Sequence, residues 1–269
     1  MDKKCILEKY KNSEDKLLIS KFFDKIEIAN KSNKVESTDF LNEMEQKILQ
    51  KVINVIGFEN YEFYGVVENS DRKIVIIFPE KLKDVFENKR FKYDTLISVI
   101  RIKNPENGRL LYNHSVYLGG IIKLGIKREK IGDILVYNNG ADIILKKETE
   151  KFLYSNLKTL TRFKESEISN IKLDEVFKKE RSFQYMKIIT SSLRLDNIVS
   201  ELAKTSRNKA AELLEQDRVF VNYENIDKNT KQIKEKDIIT IRGKGKFIID
   251  EINGNTKKGN FILIVKKFI

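Results

Sequence analysis

The 269-residue chain has one cysteine, Cys5, so it forms no internal disulfide. It holds no Cys/His cluster of the kind that binds structural zinc, and no metal or cofactor is expected. Two prolines leave little room for proline-rich linkers. Tryptophan is absent and His114 is the single histidine. The longest apolar runs, such as Ile74 to Phe78 and Phe261 to Val265, fall far short of the roughly 20 residues needed to cross a bilayer. The N-terminal MDKKCILEKYKNSEDK has no apolar stretch of signal-peptide length. No basic amphipathic helix with Trp or Leu anchors is present to lie on a membrane. These absences lead to the expectation of a soluble, reduced, cytoplasmic protein with no membrane contact; a monomer with no small-molecule substrate is expected as well.

What is present is charge. Apolar residues make up 41% and charged residues 34%, enough for packed cores and too apolar for a disordered chain. The net charge is +12, with a pI near 9.4, which favours a polyanionic partner. Lys, Ile and Asn dominate and there are five alanines, a usage common in AT-rich genomes that inflates the lysine count. Location is more informative than the total. Residues 1–60 carry 11 basic and 11 acidic side chains, residues 61–182 carry 24 and 18, and residues 183–269 carry 17 and 11. The middle and C-terminal parts should meet the polyanion.

The periodicity implies an α+β protein of three domains. Residues 14–57 read as helical, with Leu17, Leu18, Phe22 and Phe23, then Leu41, Met44, Ile48, Leu49, Val52 and Val55, at helical spacing. Thr38-Asp39 offers an N-cap and Gly57 a stop. Residues 1–60 are thus a small helical domain. A hairpin comes next, Tyr61 to Val67 and Lys73 to Phe78 around Asn69-Ser70-Asp71. Leu96 to Ile102 is a strand, 113–126 a helix ending at Gly125, and Ile134 to Tyr137 and Ala141 to Leu145 a hairpin around Asn138-Asn139-Gly140. Thr149 to Leu160 is a helix and Glu167 to Leu173 a last strand. Residues 61–178 therefore form a ferredoxin-like domain of RNA-recognition type, without that motif's aromatic stacking signature. Residues 174–190 read as a link. In the final domain, 179–269, two helices precede strands at Val219 to Val221 and Ile238 to Ile241, and a hairpin, Phe247 to Ile252 and Phe261 to Phe268, ends the chain.

The last domain holds candidate phosphate ligands. Ser206 can cap the second helix while Arg207 and Lys209 occupy its first turn, so cations and backbone donors face one space. Arg194 can join them, with Asp196 orienting an arginine through a bidentate pair. Arg218 alternates with Val219 and points outward. Arg242, Lys244 and Lys246, interleaved with two glycines in RGKGKF, are expected to line one strand edge. The runs LRLD (193–196), SRNKAAELLEQDRVFVN (206–222) and KEKDIITIRGKGKF (234–247) resemble the S4-like RNA-binding domain. That resemblance implies a helix pair against which RNA lies. Two positions depart from it. Asp217 and Tyr223 stand where glycines are usual.

Families that append this domain to an enzyme do not fit. The only Arg-Leu-Asp, 194–196, lies inside the RNA-binding module, against a pseudouridine synthase. Nucleotide-binding signatures of a tyrosyl-tRNA synthetase and the Gly-rich loop of a haemolysin-type methyltransferase are missing. In the middle domain, GIKREKIGDI (125–134) resembles the signature of the YlmH family of S4-like proteins. TDFLNEMEQKIL (38–49), DRKIVIIFP (71–79) and NGNTKKGNFIL (253–263) agree in order. The resemblance implies a non-enzymatic RNA-binding protein. Its partners would be ribosomal RNA and peptidyl-tRNA on the large ribosomal subunit, in rescue of stalled translation, with some members linked to cell division. The residues have their own reading. Lys127, Arg128 and Lys130 crowd a tight loop and suit a phosphate backbone, with Glu129 and Asp133 positioned to hold Arg128 or Lys127. The competing readings are an RNA-modifying enzyme with His114 as base and Asp94 or Asp133 as acid, and an adaptor in cell division.

Overall fold

The computed structural model describes residues 3–105, 112–177, 183–226, 228–256 and 259–268. The helical stretch expected at the start is divided. A short helix α1 (Lys3–Leu7) precedes α2 (Ser13–Ser32), which Asn12 caps by accepting the Glu14 N–H. Asn33, at φ +55°, ends α2, and a short strand β1 (Glu36–Ser37) precedes α3 (Glu43–Ile56). Asn42, not Thr38, caps α3. Its side chain accepts the Met44 and Glu45 N–H groups at 2.9 and 3.0 Å, and Glu45 accepts the Asn42 N–H at 2.7 Å, closing a capping box. Thr38 is used elsewhere, accepting the Val75 N–H at 2.9 Å. Gly57, at φ +64°, stops α3 as expected.

The expected hairpin forms as β2 (Tyr61–Tyr64) and β3 (Ile74–Ile77). β3 lies between β1 and β2 in an antiparallel sheet. Strand alternation then decides the packing. Val75 and Ile77 bury against Phe22, Leu49 and Ile53 of the helices. Ile74 and Ile76 face the other way, onto Phe40, Ile97, Val99 and Ile144. The hairpin therefore packs on the N-terminal helices as much as on the strands later in the chain. The chain forms two compact units, residues 1–179 and 180–269.

The rest of the first unit adds α4 (Lys83–Glu87), β4 (Ile97–Lys103), α5 (His114–Lys123), β5 (Ile131–Tyr137), β6 (Gly140–Lys146), α6 (Glu150–Asn156) and β7 (Glu167–Ile171). The sheet order β5-β6-β4-β7, antiparallel throughout, is the ferredoxin-like split βαβ arrangement. The helix expected to reach Leu160 stops at Asn156 and continues as 3-10 turns. One sheet face, with Ile100, Ile102, Ile143 and Leu145, buries under Tyr117, Ile121 and Leu153. The opposite face, which an RNA-recognition motif leaves open to bases, is covered. Ile97, Val99 and Ile144 lie under Phe40, Ile74 and Ile76. Further along, Arg101 holds the fully buried Asp142 through two 2.7 Å hydrogen bonds.

The second unit comprises β8 (Phe183–Thr190), α7 (Leu195–Ala203), α8 (Arg207–Glu215), β9 (Val219–Val221), β10 (Glu224–Asn225), β11 (Ile238–Ile241), β12 (Gly245–Asn255) and β13 (Phe261–Phe268). They form one antiparallel sheet, β10-β9-β11-β12-β13-β8. The expected link over 174–190 is corrected here. Its last eight residues are a full strand, paired with β13 from Phe183 opposite Phe268 to Thr190 opposite Phe261. Only Ile188 and Thr190 of it are buried, so the apolar density that announces a strand is missing. Residues 178–182 of that link and the tip of the terminal hairpin, 257–258, lie outside the described residues. Among the described residues no helix is long and apolar enough to cross a membrane, and no group of three or more His, Cys, Asp or Glu is placed to hold a metal ion.

Candidate nucleic-acid interface

The helix pair of the second unit is organised around one buried carboxylate. Arg194 is the extended residue that opens α7, and Asp196 sits in its first turn, 4% exposed. Arg194 donates to both oxygens of Asp196, Nε to Oδ1 at 3.1 Å and Nη2 to Oδ2 at 2.9 Å. Arg207, the first residue of α8, donates Nε and Nη2 to the same Oδ2 at 3.1 and 3.0 Å. The Asn197 N–H adds a fifth bond to Oδ1, at 2.9 Å. Burial pushes the Asp196 carboxyl up, and the hydrogen bonds from Arg194, Arg207 and Asn197 outweigh it, leaving the pKa below its ordinary value. The carboxylate stays charged at neutral pH and holds two guanidiniums side by side.

Those guanidiniums are not consumed. The Arg207 side chain is 53% exposed and that of Arg194 35%, against 6% for Asp196. Ser206 caps α8 by accepting the Lys209 N–H at 3.3 Å, and Lys209 is exposed in the first turn. Arg194, Ser206, Arg207 and Lys209 thus come together at the start of α8, where the helix dipole favours an anion. Asp196 is the positioning group beneath them.

The other expected residues of this unit are placed differently. The Arg218 Nη2 donates to the Arg242 carbonyl at 3.2 Å, and the Arg242 N–H donates to the Arg218 carbonyl at 2.9 Å. The Arg242 guanidinium lies 5.0 Å from the centre of the Phe220 ring. Lys244 is exposed in the tight turn between β11 and β12, flanked by Gly243 at φ +80° and Gly245 at φ +127°. Lys246 lies within 4.9 Å of the centre of the Tyr223 ring and 4.8 Å of that of Phe268. Arg242, Lys244 and Lys246 therefore do not line one edge. Lys246 projects from the sheet face opposite Phe247, which is buried toward the helices. Asp217, Asn222 and Tyr223 take φ of +54°, +51° and +66°. The left-handed positions that glycine usually fills survive here without it.

In the first unit, GIKREKIGD is a junction. Arg128 Nη1 donates to the Ile131 carbonyl at 2.6 Å, and burial together with the charge of Arg72 lowers its pKa to about 10. Arg72 Nε donates to the same carbonyl at 3.0 Å and Nη2 to the Phe40 carbonyl at 2.7 Å. Lys130 pairs with Asp39 and Glu148, both at 2.6 Å. Asp133 accepts the Asp71 and Arg72 N–H groups and so holds that segment, while its charge also acts on nearby Arg128, favouring the charged guanidinium. Burial and the Asp71 charge raise the Asp133 pKa to about 6. Gly132 lies under Phe40. A Cβ there would meet the Phe40 ring at 2.8 Å and Ile144 Cγ2 at 2.9 Å. Segments 38–41, 71–73 and 128–133, three of the stretches that carried the family resemblance, thus meet in space. Of the three cations, Arg128 and Lys130 are turned to the interior structure, while Lys127 is exposed.

His114 is exposed as the first residue of α5. Partial desolvation and the Arg128 charge hold its pKa below the ordinary value. Asp133, offered as its acid partner, is engaged by the Asp71 and Arg72 backbone. Sequence reasoning missed two features. Lys146, 6% exposed, donates to Ser37 Oγ at 2.6 Å and the Thr38 carbonyl at 3.0 Å, and burial lowers its pKa to about 8. Tyr185, 64% exposed, sits on the strand read as a link.

Comparison with known proteins places both modules. Residues 91–175 match the family described as "Putative RNA-binding domain in YlmH", and residues 193–239 match the S4 domain. The chain joins a YlmH-type RNA-binding domain to an S4 domain. The first match spans the ferredoxin-like sheet and the GIKREKIGD junction. The second spans α7, α8 and the Arg194–Asp196–Arg207 cluster. The chain is also 27% identical to the ribosome-associated protein quality control protein P2 of Bacillus subtilis (strain 168), over 241 residues, 86% of each protein. A solved structure, cell division protein ylmH from Streptococcus pneumoniae, is 22% identical with a TM-score of 0.45, covering 62% of this chain and 98% of that one.

Proposed function

We propose that this protein is a non-enzymatic, monomeric, cytoplasmic RNA-binding factor of ribosome-associated quality control, which meets ribosomal RNA and tRNA on the large subunit. The observation that carries the reading is the pair of guanidiniums locked by Asp196 at the capped start of α8, inside the S4 match. Two cations held at fixed spacing lose little side-chain freedom on meeting a phosphate backbone, so more of the contact energy appears as affinity. The B. subtilis relative carries ribosome association in its name and supports the choice of partner. Exposed Lys127 of the first unit is a further phosphate contact in this reading. Arg128 and Lys130 are left out of it, because their donors are engaged.

The test is crosslinking with RNA sequencing in cells, combined with sucrose-gradient sedimentation, for wild type and Arg207→Ala. The expected result is sedimentation with the large subunit, crosslinks to its RNA and to tRNA, and loss of both in the variant. Sedimentation at the top of the gradient for wild type overturns the ribosomal reading.

A further inference from the structure

The six-stranded sheet of the second unit buries one face under α7 and α8, and strand register fixes what the other face carries. Phe220, Lys246, Lys266, Phe268 and Tyr185 all project away from the helices, because their neighbours Val219, Phe247, Val265 and Ile188 bury toward them. The cations and rings on this face are paired. The Arg242 guanidinium covers Phe220, itself only 7% exposed, at 5.0 Å, Lys246 is shared between Tyr223 and Phe268 at 4.9 and 4.8 Å, and Lys266 stands 5.4 Å from the Tyr185 ring centre while paired with Asp250 at 3.0 Å. Phe183 meets Phe268 edge-on at 5.0 Å. Exposed Lys187 lies two positions along the strand from Tyr185 on the same face, with 64% of Tyr185 itself in water.

Aromatic rings interleaved with cations on an open sheet face are what an unpaired nucleic-acid strand needs. Each base has a π-face to stack on a ring, and the phosphates run beside the cations. A folded duplex offers no bases to such a surface. The ferredoxin-like sheet of the first unit has the architecture for this task and lacks the surface, since Phe40, Ile74 and Ile76 cover it. The positive balance of residues 183–269, 17 basic against 11 acidic, selects a polyanion over an apolar protein partner.

We infer that the open face of the C-terminal sheet is a stacking platform for an unpaired RNA strand, centred on Tyr185 and Phe268 and flanked by Lys187 and Lys246. It is separate from the Arg194–Arg207 site on the helix pair, and it rests on the RNA-binding reading of that site. The platform takes any unpaired sequence, because stacking does not read base edges.

The experiment uses the full chain and two fluorescent probes, a 12-nucleotide oligouridylate and an RNA hairpin whose stem is closed by a compact, internally stacked tetraloop. The expected result for Tyr185→Ala with Lys187→Ala is about tenfold weaker binding of the oligouridylate, with hairpin binding within about twofold of wild type. Tyr185→Phe, which keeps the ring, should retain oligouridylate affinity. Arg207→Ala should weaken the hairpin more than the oligouridylate. Ultraviolet crosslinking of the bound oligouridylate should map to the peptide that contains Tyr185. Unchanged oligouridylate affinity in the double variant, crosslinks confined to α7 and α8, or capture of the hairpin alone by wild type overturns the platform and leaves the helix-pair site standing. Failure of wild type to bind either RNA overturns both.

Discussion

Replacing Asp196 by asparagine separates geometry from charge at the helix pair. The substitution keeps the shape, removes one negative charge and exchanges an acceptor oxygen for an NH2 group that opposes the arginine donors. Four N–H contacts from Arg194 and Arg207, between 2.9 and 3.1 Å, lose their common anchor. Each released arginine must then be ordered when RNA binds, at about 0.5–1.5 kcal/mol per side chain. For two arginines that is about 1–3 kcal/mol, or roughly 5- to 150-fold in Kd. An opposing effect exists, because a negative charge beside a polyanion is gone. At about 7 Å in a water-like medium it amounts to about 0.6 kcal/mol. The ordering cost wins, so Asp196→Asn should bind RNA more weakly although its net charge is more positive. Fluorescence anisotropy at several salt concentrations measures this, and urea unfolding should show a stability loss of about 1–2 kcal/mol, small because both guanidiniums are partly in water. Tighter binding by a folded Asp196→Asn protein would refute the reasoning and reduce Asp196 to a plain negative charge.

The first unit offers three further tests. Lys127→Ala should lower the slope of log affinity against log salt by about one, whereas Arg128→Ala should leave the slope alone and reduce stability by about 1–3 kcal/mol; a slope change of about one in Arg128→Ala contradicts its inward role. Gly132→Ala should destabilise by about 1–3 kcal/mol, because its Cβ has no room beside Phe40, and an unchanged Tm would show that the ring moves freely. Lys146 gives a pH signature. The folded protein releases its proton at about 8 while the unfolded chain holds it to about 10.5, so between those values the unfolded state binds more protons and unfolding free energy rises with pH. Urea titrations at pH 7.5, 9 and 10 should show that rise in wild type and a flatter profile in Lys146→Met, and identical profiles would mean that Lys146 titrates normally.

Local signals carried much of this protein. Ser206 and Gly57 end their helices through short-range hydrogen bonds and backbone freedom that are written in a few neighbouring residues, whereas the cap of α3 fell to Asn42 and not to the expected Thr38-Asp39. The order of the ferredoxin-like elements came from the change of period between helix and strand, and the arginine–aspartate spacing of 194–207 was legible because α7 and α8 are short and adjacent. Tertiary structure decided the rest. Whether Arg128 and Lys130 face solvent depended on Asp39, Glu148 and the Ile131 carbonyl, of which Asp39 lies 91 residues from Lys130. Whether the ferredoxin-like sheet is open depended on Phe40 and β3, whose alternation admits either face until a partner is chosen. β8 was hidden because its stability comes from pairing along β13, some 80 residues later in the chain, and backbone pairing leaves little mark on the residues that make it. The cation–aromatic face arose the same way. Tyr185 and Phe268 are ordinary residues in their own strands and share one surface only when register brings them to one side of the sheet.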